Sequence, residues 1–168
     1  MAANQNDTVL AVQDAFLDLL ELVDSVAEGD ESEASAVLRA EAQQTVLMLI
    51  AAIVVADGKY EPGEQAFVGI LVDLRDKPGG EVSYLNEYAA RWAKASMVVP
   101  GFFRAAVKHD AAAGTGIAGT MICRIQLIGN SASISDGKFK PAERAAVMRY
   151  VSFLADFKEQ YFAGIIPN

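Results

Sequence analysis

Two short segments of this sequence place carboxylates at matching positions. Residues 57–68 read Asp-Gly-Lys-Tyr-Glu-Pro-Gly-Glu-Gln-Ala-Phe-Val, and residues 136–147 read Asp-Gly-Lys-Phe-Lys-Pro-Ala-Glu-Arg-Ala-Ala-Val. Seven of these twelve positions are identical at an offset of 79 residues, which indicates an internal duplication. Each copy pairs an aspartate with a glutamate, Asp57 with Glu64 and Asp136 with Glu143. Carboxylates without Cys or His favour a hard divalent cation, Ca²⁺, Mg²⁺ or Mn²⁺, over zinc.

Ordinary helix-turn chemistry explains most of this motif. The glycine suits the position after a helix ends, the proline suits the first position of the next helix, and the glutamate then falls third in that helix. Asp57 and Asp136 do not fit, because a carboxylate at a helix C-terminus is disfavoured by a few tenths of a kcal/mol to about 1 kcal/mol. Two interpretations stay open. Either each aspartate accepts N–H groups of the next helix, or it binds a cation.

The motif is not an EF-hand. If Gly58 takes position 6 of a calcium loop, Asp57 and Glu64 take positions 5 and 12, but Ile53 and Val55 take positions 1 and 3 and cannot ligate. The second copy fails at the same two positions. Each copy therefore supplies two carboxylates, and a bound cation would need further ligands from the other copy, from carbonyl groups or from water.

Two Asp-Gly-x-x-x-x-x-Glu turns, each between apolar helices, resemble the tellurite-resistance TerB-like family over roughly residues 30–165. The resemblance implies a compact all-α fold and a metal-binding role for Asp57, Glu64, Asp136 and Glu143. It also implies a part in stress response, including oxyanion resistance, often at the inner face of the membrane. Lys140 stands where the first copy has Glu61, which makes the second copy less anionic and argues against symmetric binding at two sites.

Helical spacing runs through the whole chain and predicts an all-α bundle of about seven helices with no sheet. We expect an acidic N-terminal helix over 1–30 that packs on a TerB-like body over 31–168, whose repeats lie near 45–75 and 124–154. The predicted helices run from Asp7 or Thr8 to Gly29, from 32 to 57, from Pro62 onward, from 81 to 98, after Pro100, from the glycines of 114–119 to Asp136, and from Pro141 onward.

The net charge of −8 is concentrated in residues 1–33, which carry nine acidic and no basic side chains. This excludes a basic footprint for nucleic acid and favours a basic protein partner. We expect the carboxylates of the first helix to form a solvated face. The longest apolar run, 46–56, is shorter than the ~20 residues of a membrane-spanning helix and predicts a buried core helix. With no recognisable signal peptide, we expect a cytoplasmic protein.

Several other patterns favour structural roles. Gly114 to Gly119 spells a dinucleotide fingerprint, but no strand precedes it, so a linker or close helix packing is expected, with anion binding at the next helix start as a weaker alternative. We place His109 and Asp110 at the surface and Cys123 in the core. Three aromatic residues at helical spacing, Tyr84, Tyr88 and Trp92, predict a core or interface face, and two segments, Phe102-Phe103 and 161–166, are expected to leave an apolar patch.

The sequence as a whole predicts a non-enzymatic, TerB-like stress-response domain that binds a divalent cation and a protein partner. The alternative is a metal-free interaction module whose aspartates only staple the helix turns. Paired carboxylates also allow acid–base catalysis, but no group that would polarise a substrate stands out.

Overall fold

The described part of the chain is helical throughout. The structure is a computed structural model that describes residues 2–27, 32–56, 62–69, 80–134 and 141–166. Seven helices and no strand lie in these ranges, which confirms the predicted all-α fold. They are α1 (Ala2–Val26), α2 (Ser32–Val54), α3 (Pro62–Val68), α4 (Glu81–Ala95), α5 (Gly101–Ala113), α6 (Ile117–Ala132) and α7 (Pro141–Phe162).

The long helix α2 is the hub of the bundle, since it contacts α1, α4, α5 and α6. Its second half buries Val46, Leu49, Ile50 and Ile53 to within 3% of full burial. Each buried side chain of this size stabilises the fold by about 1.5–3 kcal/mol relative to exposure. The apolar run of 46–56 is therefore core-facing along most of its length, as its composition predicts.

Helix α1 packs its apolar side against α2, α5 and α6. Phe16, Leu19, Leu20 and Val23 are buried there, as the spacing predicts. The predicted start at residue 7 or 8 is wrong, because α1 already begins at Ala2. No glycine or proline interrupts residues 2–28, so a good capping residue does not by itself begin a helix.

Two of the acidic side chains of α1 form ion pairs with neighbouring helices. The Asp18 carboxylate lies 3.1 Å from Arg124 on α6, and Asp24 pairs with Arg39 on α2. Asp14 and Glu21 are exposed, so the predicted solvated face is only part of the acidic surface.

Helices α2, α4 and α6 end three or four residues earlier than predicted. The amide of Ala56 donates to the carbonyl of Ile53, and that of Ile134 donates to Ser131, over 3.2 and 3.3 Å. The amide of Val98 likewise donates to the carbonyl of Ala95. These i→i+3 bonds tighten the last turn into 3₁₀ geometry, which uses residues that the apolar pattern assigns to the α-helix.

Two placements predicted from local composition are wrong. Cys123 is exposed, because Met121 and Ile125 take the buried face of α6 and Cys123 lies on the other side. Phe102 and Phe103 are fully buried, so they leave no patch. By contrast Tyr84, Tyr88 and Trp92 pack half-buried against the core as predicted.

Candidate functional site

The repeated glutamates occupy the same place in two helices. Both α3 and α7 begin at the proline of the motif, Pro62 and Pro141, as predicted. Glu64 and Glu143 are therefore the third residue of their helices. Both are buried, with 3% and 8% of their surface exposed. A buried carboxylate is uncommon unless something compensates its charge.

The duplication extends into the preceding helices. At the offset of 79 residues, six positions of α2 coincide with five positions of α6 and with Ser133, which directly follows α6, and all twelve residues are buried. The pairs are Ala42 with Met121, Val46 with Ile125, Leu49 with Ile128, Ile50 with Gly129, Ile53 with Ala132, and Val54 with Ser133. The repeated unit thus consists of a core helix, the repeated sequence motif, and a proline-started helix that carries a buried glutamate.

The other half of the predicted site, Asp57 and Asp136, lies outside the described residues. After α2 the described residues end at Ala56, after α6 they end at Ile134, and they begin again at the two prolines. The structure thus places Glu64 and Glu143 but not the aspartates expected beside them. Among the described residues no three Asp, Glu, His or Cys side chains lie close enough to hold a metal ion. The four-residue cation site stays a prediction.

Close packing at Gly129 holds the second unit together. A Cβ added to Gly129 of α6 would lie 2.8 and 2.9 Å from the two methyl carbons of Val147 on α7, and 3.4 Å from a methyl of Leu49 on α2. Only glycine allows α6 to approach α7 this closely. The contact lies one helical turn after Glu143, so it fixes the part of α7 that carries this carboxylate.

Two further carboxylates have clear structural roles, and sequence reasoning missed both. Asp110 on α5 is 3% exposed, not at the surface as predicted. Its oxygens accept hydrogen bonds from the backbone N–H groups of Ile117 and Ala118, both at 2.9 Å, and from the Thr115 hydroxyl at 2.5 Å. Asp110 therefore caps the N-terminus of α6, the place where the glycine-rich segment was considered for anion binding.

Glu41 on α2 caps α5 in the same way. Its two oxygens accept the backbone N–H groups of Gly101 and Phe102 at 2.9 and 3.0 Å. The residues just before α5 and α6 are Pro100 and Gly116, neither of which makes a side-chain cap. A helix start without its own capping side chain is the sequence signal that could have pointed to a carboxylate from elsewhere.

A cleft of about 230 Å³ opens beside Glu41, and Tyr150 of α7 lines it together with Thr45 and Met48. Tyr150 is 2% exposed, and its hydroxyl has no hydrogen-bond partner among the described residues. Burial, and to a lesser degree the nearby Glu41 carboxylate, raise the pKa of Tyr150 well above its usual value. The hydroxyl is therefore neutral at physiological pH.

One helix in the described ranges is long and apolar enough to cross a membrane. It is the stretch Glu33–Val54 of α2, with a mean hydropathy of 1.5, and half of that stretch is buried in the fold. The core helix of a soluble protein meets the same criteria.

Comparison with known proteins adds no relative. No protein-family model matches the chain, no curated protein is similar to its sequence, and no solved structure matches it. The resemblance to the TerB-like family therefore rests on the two repeated turns.

Proposed function

We propose that this protein is a non-enzymatic, TerB-like stress-response domain that binds a divalent cation through its repeated turns and also binds a protein partner. The observation that supports it best is the matched burial of Glu64 and Glu143, each third in a helix that follows one of the repeated Asp-Gly turns. Selection for a helix start alone requires no burial, because a glutamate at this position serves the helix dipole equally well at the surface.

Four other carboxylates of the described residues act at different places in the fold. Glu41 and Asp110 are engaged by backbone N–H groups, and Asp18 and Asp24 pair with arginines. Each of these four thus has a structural role, and at the offset of 79 residues only Asp110 coincides with another acidic residue, Glu31. The repeated carboxylates form a separate set, and their oxygen chemistry suits Ca²⁺, Mg²⁺ or Mn²⁺.

The two copies should bind with different strength. Glu61 adds a negative charge to the first turn, whereas Lys140 adds a positive charge to the second. A nearby cationic side chain opposes the binding of a metal ion by direct repulsion. We therefore expect the first turn to hold the tighter site.

The metal-free module remains the second candidate, and one observation favours it. Glu64 and Glu143 each already take part in an interaction within the protein. If that interaction satisfies the glutamates, and each aspartate only accepts N–H groups of the next helix, the turns are complete without a cation.

Calorimetric titration of chelator-stripped protein with Ca²⁺, Mg²⁺ and Mn²⁺ separates the two candidates. The variants are Asp57→Asn, Asp136→Asn and the double variant, and Glu87→Gln on the exposed side of α4 is the matched loss of one carboxylate elsewhere. The cation account expects binding by the parent and by Glu87→Gln, weaker binding by Asp57→Asn than by Asp136→Asn, and none by the double variant.

The same variants test the structural alternative through their stability without metal. The cation account expects the double variant to unfold at the same denaturant concentration as the parent. A parent that binds no cation, together with a double variant that is less stable than the parent, would instead support stapled turns.

A further inference from the structure

A basic, aromatic cleft lies between α5 and the end of α7. It encloses about 440 Å³ and is lined by Arg104 and Lys108 of α5 and by Phe157 and Tyr161 of α7. Both pairs are spaced four residues apart, so each helix presents one stripe to the cleft. The two basic side chains are exposed, in a protein whose net charge is −8.

The cleft is preorganised on its basic side. The Arg104 guanidinium lies 5.7 Å from the centre of the Phe157 ring, and its Nε donates to the carbonyl of Val99 at 3.1 Å. These contacts hold the side chain over the aromatic wall. The nearby acidic residues of α7, Asp156 and Glu159, are spaced so that they face other sides of the helix.

Exposed apolar side chains continue the cleft at the end of the chain. Phe162 is 52% exposed and Ile165 is 71% exposed. This confirms the expected apolar patch at 161–166. A contiguous apolar surface rimmed by charge is typical of a protein–protein interface.

The outer face of α1 has the complementary chemistry. Leu10 and Leu17 are 57% and 47% exposed, and Asp14 and Glu21 are exposed between and beyond them. These four residues follow the i, i+4, i+7, i+11 spacing of a single helix face. They form a stripe of alternating apolar and acidic side chains, which we call the α1 stripe.

We propose that the α1 stripe of one copy of this chain docks in the basic cleft of a second copy, with Asp14 against Lys108, and that the reciprocal contact closes a two-fold dimer. Every copy carries both surfaces, so no further component is needed. Both α1, which carries the stripe, and α7, which forms one wall of the cleft, pack against α5. The opposite face of α1 is packed into its own bundle, so the stripe faces away from the core of its own chain.

This inference rests on the proposed function only in naming the protein partner, and it does not involve the cation. Its test therefore uses chelator-treated protein. If the protein does not dimerise, the cation proposal is unaffected, and if it binds no cation, the dimer proposal is unaffected.

Light scattering coupled to size-exclusion chromatography, from low micromolar to submillimolar protein, measures the mass and the dimer dissociation constant. The parent should approach twice 17.9 kDa as its concentration rises. Asp14→Lys and Lys108→Glu each replace an attraction by a repulsion, and a two-fold dimer contains the contact twice. We therefore expect each to raise the dissociation constant by about tenfold or more.

The variant that carries both changes restores opposite charges across the interface and should recover most of the parent affinity. Glu87→Lys and Lys94→Glu on α4 repeat the two charge changes away from the proposed interface and should leave the dimer unchanged. Circular dichroism verifies that all variants fold, which is expected because all four altered side chains are exposed.

Three results would overturn the proposal. A parent that stays monomeric up to submillimolar concentration has no such dimer. A dimer whose dissociation constant is unchanged by Asp14→Lys and by Lys108→Glu uses another surface. Single variants that weaken the dimer without recovery in the charge-swapped variant would show that Asp14 and Lys108 do not face each other.

Discussion

Replacing Gly129 by alanine should destabilise the protein, although alanine is the better helix former. The alanine Cβ would lie 2.8 and 2.9 Å from both methyls of Val147, where carbon–carbon contacts prefer about 3.5–4.0 Å. A valine in a helix has one strongly preferred rotamer, so rotation does not relieve the clash and the helices must separate. Overpacking of this kind costs about 1–3 kcal/mol.

Helix propensity offsets part of that loss. Alanine is favoured over glycine inside a helix by about 0.8–1 kcal/mol. The net destabilisation for Gly129→Ala is then about 1 kcal/mol, within a range of about 0–2 kcal/mol. This corresponds to about 2–4 °C in Tm for a domain of this size. Urea unfolding followed by far-ultraviolet circular dichroism measures it.

Val147→Ala removes the obstructing methyls, so in this background Gly129→Ala should stabilise the protein instead of destabilising it. Alone, Val147→Ala leaves a cavity at a fully buried position and costs about 2 kcal/mol. In that background Gly129→Ala should stabilise by about 1 kcal/mol, since only the propensity term remains. The matched control is Gly119→Ala in the same helix, where the added Cβ meets only the Lys158 Nζ at 3.9 Å and should stabilise. The reasoning is refuted if Gly129→Ala has the same effect with and without the valine.

Three further substitutions test the capping carboxylates and the buried tyrosine by the same unfolding assay. Asp110→Ala should lower the free energy of unfolding by about 2–3 kcal/mol, because two backbone N–H groups and a hydroxyl lose their acceptor. Glu41→Gln should cost about 1–2 kcal/mol, since an amide has one oxygen for the two N–H groups that start α5; an unchanged midpoint would contradict the cap. Tyr150→Phe should stay within about 1 kcal/mol of the parent at neutral pH, because the hydroxyl it removes has no partner among the described residues. The pKa of Tyr150 is raised in the folded state, whereas in the unfolded chain it is about 10. Ionisation of Tyr150 therefore leaves the free energy of unfolding unchanged below pH 10 and lowers it as the pH rises above 10. Above pH 10 the free energy of unfolding should therefore fall less steeply for Tyr150→Phe than for the parent. Equal slopes would argue against a buried hydroxyl.

Elements that are encoded locally were predictable from the sequence. The prolines at 62 and 141 begin their helices because proline lacks only an N–H that the first helical turn leaves unpaired. The buried faces of α1 and α7 follow helical spacing, and the repeat offset anticipates the matched positions of Glu64 and Glu143.

Features that depend on tertiary contacts were not predictable in this way. Asp110 is buried because the chain reverses after α5 and brings the start of α6 onto its carboxylate. The contact of Glu41 with the start of α5 joins residues 60 positions apart. The uncapped starts of α5 and α6 signal that an acceptor is needed, but no local pattern identifies Glu41 or Asp110 as that acceptor. Gly114 makes the reversal with a positive φ of 69°, but a glycine at this position in the sequence is equally compatible with a flexible linker.

The central claim is that the repeated turns bind a divalent cation. The most direct test is the thermal melt of chelator-stripped protein with and without millimolar Ca²⁺, Mg²⁺ or Mn²⁺. Saturation at 100 times the dissociation constant adds about 2.7 kcal/mol to the stability of the folded state, which raises Tm by several degrees. The account predicts this rise with at least one ion and its loss in the Asp57→Asn, Asp136→Asn double variant. An unchanged Tm with all three ions would contradict it.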